Sequence, residues 1–194
     1  AGGTDFLPPA ERIATFDNDG TLWCEQPLQV QLFFLIDEVG RLAEKDPTIR
    51  ERQPYKALLE QDFHTLLGMG KKGAEELFAA THAGVTQEDF EARVSQWFAT
   101  ARHPKFDRLF SQVTYLPQRE LLDYLRANGF RTFIISGGGI DFMRVVSEQI
   151  YGIYREQTIG SSGKLQFDIQ HDLAVVMKQP GLNCFNDREA KPAT

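Results

Sequence analysis

The chain has 194 residues, 42% of them hydrophobic and 25% charged, with a formal net charge of −6. That suits one globular domain, or a small core carrying an insertion, and it lacks the basic footprint of a nucleic-acid binder. The longest apolar stretch, Val30 to Ile36, is too short to span a bilayer.

Arg12 to Phe16 is a short apolar run that ends in Asp17-Asn18-Asp19-Gly20, which reads as a buried strand presenting polar groups at its C-terminal end. From Pro27 to about His103 the pattern is helical. Leu28, Leu32, Leu35, Ile36 and Val39 recur at helical spacing, and a second helical run follows Pro54. A third helix is predicted after Gly70, and a fourth after Thr86, whose Thr-Gln-Glu-Asp opening is a capping signal. Phe33, Phe34, Trp97 and Phe98 fit the core of this helical stretch.

Pro117 opens another helix, which stops at Asn128-Gly129. An apolar strand follows, Phe130 to Ile135, and runs into Ser136-Gly-Gly-Gly139 and a helix through Phe142, Val145, Val146 and Ile150. Ser161-Ser-Gly163, between Thr158-Ile159-Gly160 and Leu165 to Ile169, predicts a hairpin-like turn, with a further strand over Asp172 to Met177. The fold class is therefore α/β, a Rossmann-like parallel sheet. The core covers 1–24 and 108–194, and an α-helical cap over 25–107 is inserted after the first strand.

Cys24 and Cys184 form no metal or redox motif and read as reduced thiols. His64, His82, His103 and His171 stand singly without metal-ligand spacing and read as surface or cap residues. Lys71-Lys72 reads as a solvated helix start. The chain begins Ala-Gly-Gly rather than Met. A processed product is one expectation, and both a cytoplasmic and, after signal-peptide removal, a periplasmic location stay open.

Two carboxylates at i and i+2 after a strand repel each other unless a cation sits between them. An Asx-type turn with two solvated aspartates is the plain reading of Asp17 and Asp19. Their context, between an apolar strand and Gly20-Thr21, gives the other: a carboxylate nucleophile paired with a proton-shuttling carboxyl. Ser136 at the next strand end, with Gly137 and Gly138 behind it, can hold a phosphoryl oxygen through hydroxyl and backbone donors, or it can merely cap a helix.

Asp17-Asn-Asp-Gly-Thr21 after an apolar strand, followed by Ser136 at a later strand end, resembles the haloacid dehalogenase superfamily, with a motif order similar to its phosphoserine-phosphatase-like members. The resemblance implies a phosphomonoester hydrolase acting on a small phosphorylated metabolite. Asp17 would be the nucleophile that becomes an aspartyl-phosphate, and Asp19 the acid and base. Ser136 would hold the phosphate, with Asn18, Gly20, Thr21, Gly137 and Gly138 around it. Lys191, with Arg188 as a weaker competitor, would neutralise nucleophile and phosphate. The implied cofactor is Mg2+ on Asp17 and Asp19.

Glu25 is a candidate for holding a substrate amine, and Trp23, beside it, fits packing between cap and core. The family's last acidic motif has no counterpart before Thr194, so the expectation is a chain cut short of it, with a short N-terminal stretch missing too. The alternatives are a dehalogenase, which usually lacks a residue like Asp19, a phosphotransferase, and a phosphate binder that does not turn over. No nucleic-acid or membrane partner is expected, and the oligomeric state stays open.

Overall fold

A computed structural model describes residue 3, residues 6–186 and residue 191. Four strands form one sheet in the order β1-β2-β3-β4, with β1 Ile13–Phe16, β2 Arg131–Gly139, β3 Thr158–Gln170 and β4 Leu173–Cys184. β1, β2 and β3 run parallel, and β4 returns antiparallel to β3. The expected α/β fold is present, and the sheet is mixed rather than all parallel.

The helices between β1 and β2 are α1 Val30–Lys45, α2 Tyr55–Leu59, α3 Phe63–Gly68, α4 Gly70–His82 and α5 Gln87–Thr100, followed by α6 Leu116–Ala127. Thr86 caps α5 as its sequence signal requires, accepting a bond from the Asp89 amide at 3.0 Å. Gly129, at φ 77°, ends the turn after α6 because a left-handed residue there carries no Cβ penalty.

Three expectations change. β1 is not a buried strand: it is an edge of the sheet among the described residues, and its Ile13 is 49% exposed. The single helix expected through Phe142 and Ile150 is two short ones, α7 Ile140–Arg144 and α8 Ser147–Tyr151, because Val146 leaves helical geometry at φ −122°. There is also no turn at Ser161-Ser-Gly163. β3 continues through it, with a register irregularity between Ser162 and Leu165, and the chain reverses at His171-Asp172, both at positive φ. Two consecutive positive-φ residues match the twist of a tight hairpin, which the serines and Gly163 do not need to supply. Gly163 serves a different purpose: a Cβ there would lie 2.3 Å from the Phe78 ring.

One apolar core spans the molecule. Leu22, Trp23, Phe34, Phe90, Phe98, Ile134 and Phe142 belong to a single buried cluster, so the helical insert and the sheet share it. A smaller cluster of Val39, Tyr55, Leu58 and Leu77 lies within the insert. His82 and His103 are buried, whereas His64 and His171 are exposed. Lys71 and Lys72 are exposed. No helix among the described residues is long and apolar enough to cross a membrane.

β4 is also bound to the insert. The Lys178 amide donates to the Val85 carbonyl at 2.9 Å, and the Gly84 amide donates to the Lys178 carbonyl at 2.9 Å. The Lys178 side chain is 1% exposed and pairs with Asp141, while its ammonium also donates to Gln87 Oε1 at 3.2 Å.

Candidate active site

The turn after β1 is wound tightly by its own backbone. The Thr21, Leu22 and Trp23 amides converge on the Asn18 carbonyl at 3.2, 2.9 and 3.3 Å, and the Gly20 amide donates to the Trp23 carbonyl at 3.0 Å. Gly20 sits at φ 72°, a conformation that favours glycine, and the Glu25 carboxylate packs against it. The winding leaves Asp17 and Asp19 at the strand end. The indole Nε1 of the buried Trp23 donates to Asp19 Oδ1 at 2.8 Å, fixing that carboxylate.

At the end of β2, the backbone stays extended through Gly139 rather than turning at Ser136 as its glycines suggest. Neighbouring groups hold it there. Asn186 Nδ2 donates to the Ser136 carbonyl at 3.1 Å, Ser161 Oγ donates to the Gly137 carbonyl at 2.8 Å, and the Gly139 amide donates to Gln31 Oε1 at 2.7 Å. Ser136 Oγ accepts from the Gly138 amide at 3.3 Å.

Lys191 closes the arrangement, its ammonium 2.7 Å from Asp17 Oδ2. Burial would raise the Asp17 pKa, but the bonds from Lys191, the Asn18 amide and the Ser136 hydroxyl outweigh it and hold the group below the ordinary carboxylate value. Asp19 is pushed the other way. Burial raises it first, the charges of Asp17 and Glu25 add to that, and the Trp23 and Val30 donors only partly offset them. Two carboxyls two residues apart are thereby driven in opposite directions, one toward a standing anion and the other toward a group that keeps its proton longer. Such a split would suit one carboxyl to nucleophilic attack and the other to proton transfer.

A cavity of about 540 Å³ opens over this centre, lined at its base by Asp17, Asp19, Ser136, Gly137, Gly138 and Lys191. Of the residues expected around the phosphate, Ser136, Gly137 and Gly138 reach the cavity, whereas Asn18, Gly20 and Thr21 do not line it. The amides of Asn18, Gly20 and Thr21 are spent inside the turn, on Asp17 Oδ1, the Trp23 carbonyl and the Asn18 carbonyl. Glu25 reaches the wall. Trp23 does not; it packs between Phe98 and Tyr151, with ring centroids at 6.0 and 6.3 Å. Arg188 lies outside the described residues.

Sequence reasoning did not single out Gln31, Ser161 or Asn186. Gln31 and Ser161 line the cavity and, like Asn186, hold the Ser136–Gly139 strand end. Each acts across a long sequence separation through an ordinary amide or hydroxyl, and no local pattern marks such a residue.

The sequence profile of the haloacid dehalogenase-like hydrolases matches residues 14–191. Among solved structures, a protein with unknown function from Bordetella pertussis Tohama I is similar at 15% identity and a TM-score of 0.60, covering 94% of this chain and 71% of that one. A phosphoserine phosphohydrolase-like protein from Francisella tularensis is similar at 18% identity and a TM-score of 0.45, covering 89% of this chain. The chain spans 64% of that Francisella protein's length. A cytosolic 5'-nucleotidase IIIB bound to cytidine is similar at 16% identity and a TM-score of 0.44, covering 92% of this chain and 56% of that one. No curated protein matches. With the profile running from the first strand to the lysine beside Asp17, the chain belongs to the haloacid dehalogenase-like hydrolase family.

Proposed function

We propose that this hydrolase is a phosphomonoesterase for a small phosphorylated metabolite, working through Asp17 and Asp19. The observation that carries the reading is the ion pair of Asp17 with Lys191 at 2.7 Å, two residues from a carboxyl whose environment favours its protonated form. Asp17 attacks phosphorus as the ester P–O bond breaks, and the Asp19 proton passes to the leaving oxygen. Asp19 then takes a proton from water as that water attacks the aspartyl-phosphate, which releases inorganic phosphate and restores Asp17. Ser136 and the backbone of Gly137 and Gly138 orient the phosphoryl oxygens, and Lys191 balances their charge.

The family generally uses Mg2+. Asp17 and Asp19 offer the hard oxygen donors this ion takes, and the charge they crowd together favours a cation, so they fit it. Among the described residues no third His, Cys, Asp or Glu joins them in a metal-holding group, so the pair makes up part of a coordination shell. When bound, the ion would supply charge neutralisation for the phosphoryl group. In this reading residues 25–107 act as a cap on the core formed by 1–24 and 108–194, and the cap excludes bulk water from the transfer.

The test is hydrolysis of p-nitrophenyl phosphate with magnesium and with EDTA, by the wild type and by Asp17→Asn. Magnesium-dependent release that the variant loses, with its fold intact by circular dichroism, supports the reading. Equal release by both proteins removes Asp17 as nucleophile, and no release by either moves the reading to a phosphate binder.

A further inference from the structure

Above the carboxylates, the cavity changes character. Its upper wall is built from Leu32, Leu35, Leu67, Leu77, Phe78 and Leu182, supplied by α1, α3, α4 and β4. None of the insert residues on the wall is a lysine or arginine, and among the described lining residues Lys191 is the lone cation, already paired with Asp17. Glu25 also lines the cavity, its carboxylate against Gly20 and its charge felt by Asp19, beside the carboxylates.

His82 does not supply a positive charge either. His82 Nδ1 shares a hydrogen bond with Thr81 Oγ1 at 2.7 Å, and the Thr81 hydroxyl lies 2.8 Å from the Leu77 carbonyl. The ring is stacked on Phe78, with centroids at 4.0 Å, and lies 4.4 Å from Phe90. Burial first, then the charges of Lys178 and Arg93, hold its pKa well below the usual histidine value, which disfavours a positive charge on this wall.

Resting on the phosphomonoesterase reading, we infer that the cavity selects phosphomonoesters whose leaving group is uncharged and mainly apolar, an alkyl or aryl alcohol rather than one carrying a carboxylate or a second phosphate. An anionic group on the leaving alcohol would lose its hydration against leucine and phenylalanine with no unpaired cation among the described lining residues to receive it, and burying a charge unpaired is far costlier than burying a methylene. An alkyl chain gains along the same wall. Each methylene taken out of water is worth about a fourfold gain in kcat/KM while the wall lasts.

The experiment is steady-state kinetics of the full chain with magnesium on straight-chain alkyl phosphates from ethyl to octyl. Matched esters ending in a carboxylate or an ammonium are run beside them, so that leaving-group reactivity is held nearly constant. Binding of the corresponding alkylphosphonates, which cannot be hydrolysed at the P–C bond, is measured by calorimetry. The expected result is kcat/KM rising with chain length by about fourfold per methylene over the first few. The carboxylate-ended esters should fall at least about tenfold below their methyl-ended counterparts. Leu67→Arg, at a wall position that is 81% exposed and tolerant of charge, should improve the carboxylate-ended esters relative to the alkyl ones by about twofold to fivefold.

Turnover of p-nitrophenyl phosphate with a flat chain-length series, or with a preference for the charged esters, overturns the inference and leaves the phosphatase intact. No turnover of any ester, with phosphonate binding that tightens with chain length, overturns the phosphatase and keeps the cavity's preference. No turnover with length-independent phosphonate binding overturns both.

Discussion

Lys191 and Asp17 are 174 positions apart in the chain and 2.7 Å apart in space. The pair is half open to solvent, with side-chain exposures of 27% and 42%, so screening limits its worth to stability to under about 1 kcal/mol. Its consequence is chemical. Lys191→Met should leave the fold intact while lowering kcat on p-nitrophenyl phosphate by about a hundredfold, the scale of losing one charge-stabilising contact to the transferring group. A kcat within about threefold of wild type would show that the lysine serves structure alone.

Gln31 reaches from α1 to the Gly139 amide at 2.7 Å and so tethers the strand end that carries Ser136. Gln31→Leu removes the acceptor and should raise KM by about three- to tenfold, the worth of roughly one hydrogen bond, with a smaller change in kcat. Gln31→Glu keeps an acceptor for Gly139 and adds a negative charge beside the Ser136–Gly139 strand end. It should raise KM and the inhibition constant of inorganic phosphate together, and more than Gln31→Leu does. If Gln31→Glu matched wild type in both, the residue would have no bearing on phosphate binding.

The Lys178–Asp141 pair is almost wholly buried, with side-chain exposures of 1% and 13%. Lys178→Ala strands a buried carboxylate and should cost about 3–5 kcal/mol in urea unfolding. Changing both partners, Lys178→Met with Asp141→Leu, removes both charges at similar volume and should recover most of that loss. The informative outcome is the order: the double variant more stable than the single one. The reverse order would mean that the pair's bonds outweigh its desolvation.

Arg155 grips Glu91 of α5, with Nη1 to Oε2 at 2.9 Å, and this bond first, against burial, holds the Glu91 pKa below its ordinary value of 4.5. A carboxyl whose folded pKa is depressed contributes stability above its unfolded pKa and loses it as pH falls through the folded one. Glu91→Gln should therefore lower stability slightly at pH 7, by under about 1 kcal/mol given the exposure of the pair, with a small drop in Tm. The gap to wild type should close as pH falls below 4.5. A gap that widened in acid would reverse the assigned sign. Thermal melts of the two proteins across that range make the comparison.

Much of this molecule is legible in its sequence where a local rule carries the signal. Thr86 three residues before Asp89 marks the start of α5, and Asn128-Gly129 marks the end of α6, because caps and left-handed residues obey neighbours only. Asp17, Asp19 and Ser136, marked by strand-end patterns, and Lys191, named from the family resemblance, line one cavity. What the sequence hides depends on distant partners. The continuation of β3 through Ser161-Ser-Gly163 goes with Phe78, far off in α4, lying against Gly163, and with β4 pairing beside it. Asn18, Gly20 and Thr21 look like phosphate donors by position, yet their amides are consumed in winding the turn, which composition does not reveal.

β3 pairs with β2 at Thr158, Ile159 and Ser161 and with β4 from Ser162 onward, while β4 bonds to the loop between α4 and α5 at Gly84 and Val85. A two-stranded ribbon thus runs from the Ser161 hydroxyl on the Gly137 carbonyl to the loop between α4 and α5. The insert is therefore strapped at both ends, by its chain connections to β1 and β2 and by this ribbon, and it is not a flap on a two-strand hinge. Admitting a bulky ligand would require flexing the ribbon or slipping the Lys178 backbone off its loop. In such an enzyme the rate of entry and exit would be set by the stiffness of a β-hairpin far from the carboxylates, and substitutions at its tip would tune turnover without touching the chemistry.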